Sequence, residues 1–265
     1  MPPAAPLPDL DLERAVDVAR QAAEAAGAAA LRYWRTDLHI ERKPDRTPVT
    51  AADLAAEAAA LAIVEDAFPV YGILSEESAP RRPDAPARWI VDPLDGTRGF
   101  SRGAPFWGPA IALEHAGAIV AGAIALPALG EVYWAGRGLG AYRDGTRLQV
   151  SAVDDLAEAS LSLGELSCLL APPHGPAVQD LARTVSSARA HGDLYACTLV
   201  LNGHADLWLE AGVKIWDIAP LQILIEEAGG RFTDFAGVPT VASGHAVGSN
   251  GRLHAAVLAR LQAPS

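Results

Sequence analysis

Apolar positions recur at three- and four-residue steps from Leu10 to Trp34, through Leu12, Val16, Ala19, Ala23, Ala26, Ala30 and Tyr33. That spacing predicts a helix, and the alanine-rich run from Ala22 to Ala30 favours one intrinsically. A polar loop, Lys43-Pro44-Asp45-Arg46-Thr47-Pro48, leads to a second predicted helix. Thr50 is a good N-cap for it, and Leu54, Ala58, Leu61 and Val64 form the face expected to be buried.

Between Tyr71 and Val150 the pattern shortens to β-type segments separated by turn residues. Examples are Ala110–Leu113, Ile119–Leu126, Glu131–Trp134 and Ala141–Arg143, the last running into an Asp144-Gly145 hairpin signal. From Asp154 helices and strands alternate: a helix from Leu194 to Asn202, a strand from Ala205 to Leu209, a helix from Asp217 to Ala228 stopped by Gly229-Gly230, and a closing helix from Leu253 to Leu261. One layered α/β (α+β) domain over 1–265 is the natural architecture, with an antiparallel-looking half up to 150 and an α/β half over 151–265.

Half of the 265 residues are apolar, enough for a sizeable core. The formal charge of −11 argues against a nucleic-acid surface and gives no long-range attraction for an anion. A phosphate-bearing substrate would therefore need bound cations to invert the local field. Cys168 and Cys197 lack metal-ligand spacing and read as buried, reduced thiols of a cytoplasmic protein. Met1-Pro2-Pro3-Ala4 does not resemble a secretory start. The longest apolar stretch, Gly117 to Leu129, is broken by Gly122 and Pro127 and is too short for a membrane span.

Carboxylates change this picture most. Trp89-Ile90-Val91 predicts a buried strand that delivers Asp92 at its C-terminal end, with Pro93 expected to stop the strand and the turn to bring Asp95 back toward Asp92. The Leu94 carbonyl is then available as an oxygen ligand, and Gly96 and Thr97 offer backbone N–H groups to a phosphate. Gly72-Ile73-Leu74 is a second apolar segment ending in acids, Glu76 and Glu77. Asp217, after Trp216, reads as a helix N-cap that can also face a cation. Acids from three element ends, without His or Cys, suit a hard cation such as Mg2+ and metal-assisted phosphoryl transfer to water. The haloacid-dehalogenase type of aspartyl-phosphate chemistry is excluded, because the position two residues before Asp95-Gly96-Thr97 is Pro93.

Taken in order, Ser75-Glu76-Glu77, Trp89-Ile90-Val91-Asp92-Pro93-Leu94-Asp95-Gly96-Thr97 and Trp216-Asp217 resemble the signature of the inositol monophosphatase family. The resemblance implies an αβαβα sandwich of the inositol monophosphatase and fructose-1,6-bisphosphatase type, hydrolysis of phosphate monoesters with two or three Mg2+ ions, Li+ sensitivity and a homodimer. It implies metal ligation by Glu76, Asp92, the Leu94 carbonyl, Asp95 and Asp217, with Asp217 also on the substrate side. Thr97, paired with Asp53, would orient the attacking water beside Glu76, and the Gly96 and Thr97 N–H groups would hold the phosphate. Asp53 can equally be a first-turn helix carboxylate, and Lys43 either reaches the site or is a solvated loop lysine. Two positions depart from the family pattern: Ser75 stands where glycine is common, and Gly99 stands where a larger polar residue is common.

The identity of the ester has to be read from the second half. Gly192-Asp193-Leu194-Tyr195 resembles the histidinol-phosphate phosphatase branch. A substrate carrying an ammonium and an imidazole benefits from extra carboxylates, which Asp193 and Glu210 can supply; otherwise Asp193 is a helix N-cap and Glu210 a solvated strand-end acid. His191 reads as positional. Inositol or other polyol phosphates and 3′,5′-bisphosphate nucleotides are the alternative substrates. A non-catalytic metal-binding role is opposed by the presence together of Glu76, Asp92, Asp95, Thr97 and Asp217.

Overall fold

The computed structural model describes residues 10–37, 40–42 and 48–262. Helix α1 (Leu12–Leu31) starts on Asp11, whose carboxylate accepts the Arg14 N–H. Strands β1 (Ile40–Arg42) and β2 (Pro48–Thr50) form a small hairpin that runs into α2 (Ala51–Ala67). Lys43 lies outside the described residues. Thr50 caps α2 as expected, but the buried face is rotated: Ala52, Asp53, Ala56, Glu57, Ala60, Leu61 and Val64 point inward, and Leu54 is 56% exposed. Two acids turned toward the protein interior set that rotation.

A seven-stranded sheet follows, in the order β3 (Gly72–Ser75), β4 (Ala87–Asp95), β5 (Gly108–His115), β6 (Ala118–Leu126), β7 (Glu131–Gly136), β8 (Gly140–Arg143) and β9 (Thr146–Arg147). One helical turn, α3 (Thr97–Phe100), interrupts it after β4. Only β3 and β4 pair in parallel; the other neighbours are antiparallel. Asp144 and Gly145 take φ of 49° and 82°, both positive as a tight hairpin turn requires.

The remaining elements are β10 (Ser160–Leu163), α4 (Leu166–Leu169), α5 (Gly175–Thr184), β11 (Ser187–Ala190), α6 (Asp193–Leu201), β12 (Leu207–Ala211), α7 (Ile215–Glu227), β13 (Arg231–Thr233), β14 (His245–Ser249) and α8 (His254–Leu261). Their strands form a five-stranded sheet in the order β11-β10-β12-β14-β13, with parallel pairing at β10. The α7 helix ends in a Schellman motif: Gly229 N–H binds the Glu226 carbonyl and Gly230 N–H that of Ile225, with Gly229 at φ 91°.

Three apolar clusters show the layering. The first joins α1 and α2 to one face of the seven-stranded sheet. The second places α6 and α7 between the two sheets. In the third, α5 and α8 cover the outer face of the five-stranded sheet. The result is the expected αβαβα sandwich. Among the described residues no helix is long and apolar enough to cross a membrane. Cys197 is buried, whereas Cys168 is exposed on α4, a four-residue turn too short to enclose it.

Candidate active site

Pro93 does not end its strand. Strand β4 runs through it to Asp95, with a register shift: Asp92 pairs with Ala110 and Asp95 with Gly108, so three steps on β4 match two on β5. This is a β-bulge, a position where a strand tolerates proline. Its consequence is chemical. In a regular strand residues three apart point to opposite faces; one extra residue restores them to the same side. Gly108 is required opposite the bulge, since a Cβ there would lie 1.8 Å from the Ala125 carbonyl oxygen.

The loop beyond is held by a set of hydrogen bonds. Leu94 N–H donates to Asp92 Oδ1 at 2.9 Å, and Leu194 N–H, in the first turn of α6, donates to Asp95 Oδ2 at 2.9 Å. The Thr97 hydroxyl lies 3.0 Å from both the Leu94 carbonyl and Asp53 Oδ1. Asp53 is the third residue of α2, and its Oδ2 accepts the Thr50 N–H and hydroxyl, each at 2.7 Å, in a capping box. Burial raises its pKa although these donors favour the anion.

Asp217 is likewise the third residue of its helix rather than the N-cap. Its Oδ2 accepts the Lys214 N–H at 2.7 Å, and the helix starts two residues before this acid, at Ile215. One carboxylate oxygen from each of Asp92, Asp95 and Asp217 lies within 4.8 Å of the others. Burial, then the charges of Glu76, Asp95 and Asp217, hold Asp92 well above the usual carboxylate range. Burial and Asp193 do the same to Asp95. Asp217 is pushed up to about 6, chiefly by burial, with Glu76 adding to it. Glu76 follows β3, and its N–H donates to the Val91 carbonyl at 3.1 Å. The set is all oxygen, crowded and mutually repelling, which fits a hard divalent cation such as Mg2+.

Both proposed selectors sit beside this cluster. Glu210, on β12, is 5% exposed and is not a solvated acid. Its Oε1 accepts the Glu165 and Ala211 N–H groups at 2.7 and 3.1 Å, while burial raises its pKa to about 8. Its carboxylate lies over Gly164, where a Cβ would be 1.5 Å from Oε2. Asp193 is not an N-cap: Gly192 holds that position, and Asp193 begins α6 with a left-handed φ of 47°. As a residue it is exposed, but its carboxyl packs against Gly96 and Gly99, at 3.1 and 3.7 Å from where their Cβ atoms would be. The Asp193 carboxyl thus lies beside Gly99, within ordinary contact distance of a Cβ at that position. Burial of that carboxyl and the nearby Glu165 raise its pKa, and Arg98 opposes them.

Glu165 and Arg98 were not legible as site residues. Glu165 arrives because β10 and β12 run parallel and end together, with Leu163 opposite Leu209, a pairing that leaves no local sequence signal. The Tyr195 ring stacks on Phe106 at 4.3 Å. Nδ1 of His191 lies 3.0 Å from the Ser162 hydroxyl.

The model of the inositol monophosphatase family matches residues 11–264. The chain belongs to this family. Among curated relatives in it, a histidinol-phosphatase of Mycobacterium tuberculosis is 42% identical over 88% of this chain and 92% of its own length. A histidinol-phosphatase of Streptomyces coelicolor is 39% identical over 90% and 93%. Among solved structures of the same fold, the extragenic suppressor protein suhB of Bartonella henselae superposes with a TM-score of 0.87 at 32% identity, covering 95% of this chain and 99% of that one.

Proposed function

We propose that this family member hydrolyses histidinol phosphate, using Mg2+ held by Glu76, Asp92, the Leu94 carbonyl, Asp95 and Asp217. The observation that carries the reading is the convergence of Asp92, Asp95 and Asp217, with the buried Glu210 and the Asp193 carboxyl adjoining them. Bound Mg2+, as two or three ions, supplies charge neutralisation and water activation. The chain's own groups do the rest. Asp53 holds the Thr97 hydroxyl so that its lone pairs orient the attacking water beside Glu76. The Gly96 and Thr97 N–H groups would hold the phosphate, with Asp217 on the substrate side. Pro93 stands where a covalent mechanism of the aspartyl-phosphate type would need its nucleophile, so water attacks phosphorus directly.

Substrate selection follows from charge. Carboxylates that crowd one another are relieved by a cationic ligand, and Asp193 and Glu210 offer the ammonium and imidazole of histidinol charge-assisted hydrogen bonds. A neutral polyol gives no such relief. The two histidinol-phosphatases similar to this chain over most of its length support the same choice. Phosphate release from histidinol phosphate, required to be Mg2+-dependent and abolished by chelation, tests the proposal. Release unaffected by chelation would remove the metal from the mechanism.

A further inference from the structure

Helix α2 grips the site through two carboxylates one turn apart. Asp53 Oδ1 accepts the Thr97 hydroxyl at 3.0 Å, and four residues on, Glu57 Oε1 accepts the Ser75 hydroxyl at 2.5 Å. Residues spaced by four share one helix face, so both acids point the same way. Glu57 and Ser75 are 8% and 4% exposed. Their hydrogen bond is therefore made out of water, where a carboxylate without a donor is costly.

Ser75 is the last residue of β3, and Glu76 is the next residue. On the sheet side this strand end is fixed by Ser75 pairing with Val91 and by the Glu76 N–H bond to the Val91 carbonyl. On the helix side it is fixed by Glu57. We propose that Glu57 is a positioning residue: through Ser75 it sets the backbone from which the Glu76 carboxylate reaches the cation, and so it governs metal affinity. The proposal rests on the metal-dependent reading above.

The test is Mn2+ binding by calorimetry on the full chain, without substrate, with melting followed in chelator. Ser75→Ala and Glu57→Ala should each weaken Mn2+ binding about tenfold, the lower range for loss of a group that orients a metal ligand. Glu57→Gln keeps an oxygen acceptor for Ser75 and should retain most of the affinity. Wild-type affinity in Ser75→Ala overturns the proposal even if its melting temperature drops, because a packing role would move melting alone. Equal losses in Glu57→Gln and Glu57→Ala overturn it as well. If the wild-type chain binds no Mn2+, the functional reading fails first and this inference with it.

Discussion

Asp92 and Asp95 converge because one surplus residue at the β4 bulge turns side chains three apart to the same side. Asparagine at 95 keeps an oxygen for the Leu194 N–H but loses the charge that a cation needs. Asp95→Asn should therefore lower Mg2+-dependent phosphate release by more than about a hundredfold, beyond the usual cost of losing an outer partner of a metal ligand. Its melting temperature in chelator should equal or exceed that of the wild type. An active Asp95→Asn variant would remove Asp95 from the metal set.

The crowded acids also predict how stability varies with pH. Asp217 and Glu210 have folded-state pKa values of about 6 and about 8, above their ordinary values of 3.8 and 4.5. In that window the unfolded chain holds fewer protons than the folded one, so the metal-free protein loses stability as pH rises through it. Melting in chelator should fall between about pH 5 and about pH 8. Added Mg2+ should raise it, and by more at the higher pH, because protons compete with the ion for the same oxygens. A stabilisation by Mg2+ that is independent of pH would contradict these assignments.

Gly164 tests the placement of Glu210. A Cβ at 164 would lie 1.5 Å from Oε2, so Gly164→Ala must displace that carboxylate. The expected cost is about 1–3 kcal/mol of stability, typical of forced repacking, together with a raised KM for histidinol phosphate. An unchanged KM would separate Glu210 from substrate binding.

Asp193→Ala should lower kcat/KM for histidinol phosphate by about 10- to 100-fold, the loss of one hydrogen bond to a charged group. Inositol 1-phosphate should change by less than about threefold, since it offers no cation to this carboxyl. Equal effects on the two esters would place Asp193 outside selection.

Much of this fold was legible in local pattern. The alanine periodicity located α1, Thr50 located the start of α2, and Asp144-Gly145 located a hairpin. The acid-bearing segments were legible because each motif is contiguous. What local pattern hid depends on partners distant in the chain. The bulge that carries β4 past Pro93 is set by the register with β5. The rotation that exposes Leu54 follows from Asp53 and Glu57 reaching Thr97 and Ser75. The burial of Glu210 and the packing of Asp193 on Gly96 and Gly99 depend on how the two sheets are brought together, with α6 between them.

Substrate choice is measured most directly as kcat/KM for Mg2+-dependent phosphate release across histidinol phosphate, inositol 1-phosphate, fructose 1,6-bisphosphate and adenosine 3′,5′-bisphosphate. Histidinol phosphate should exceed each of the others by at least about tenfold, or about 1.4 kcal/mol of transition-state discrimination. A higher value for inositol 1-phosphate, or for either bisphosphate, would contradict it.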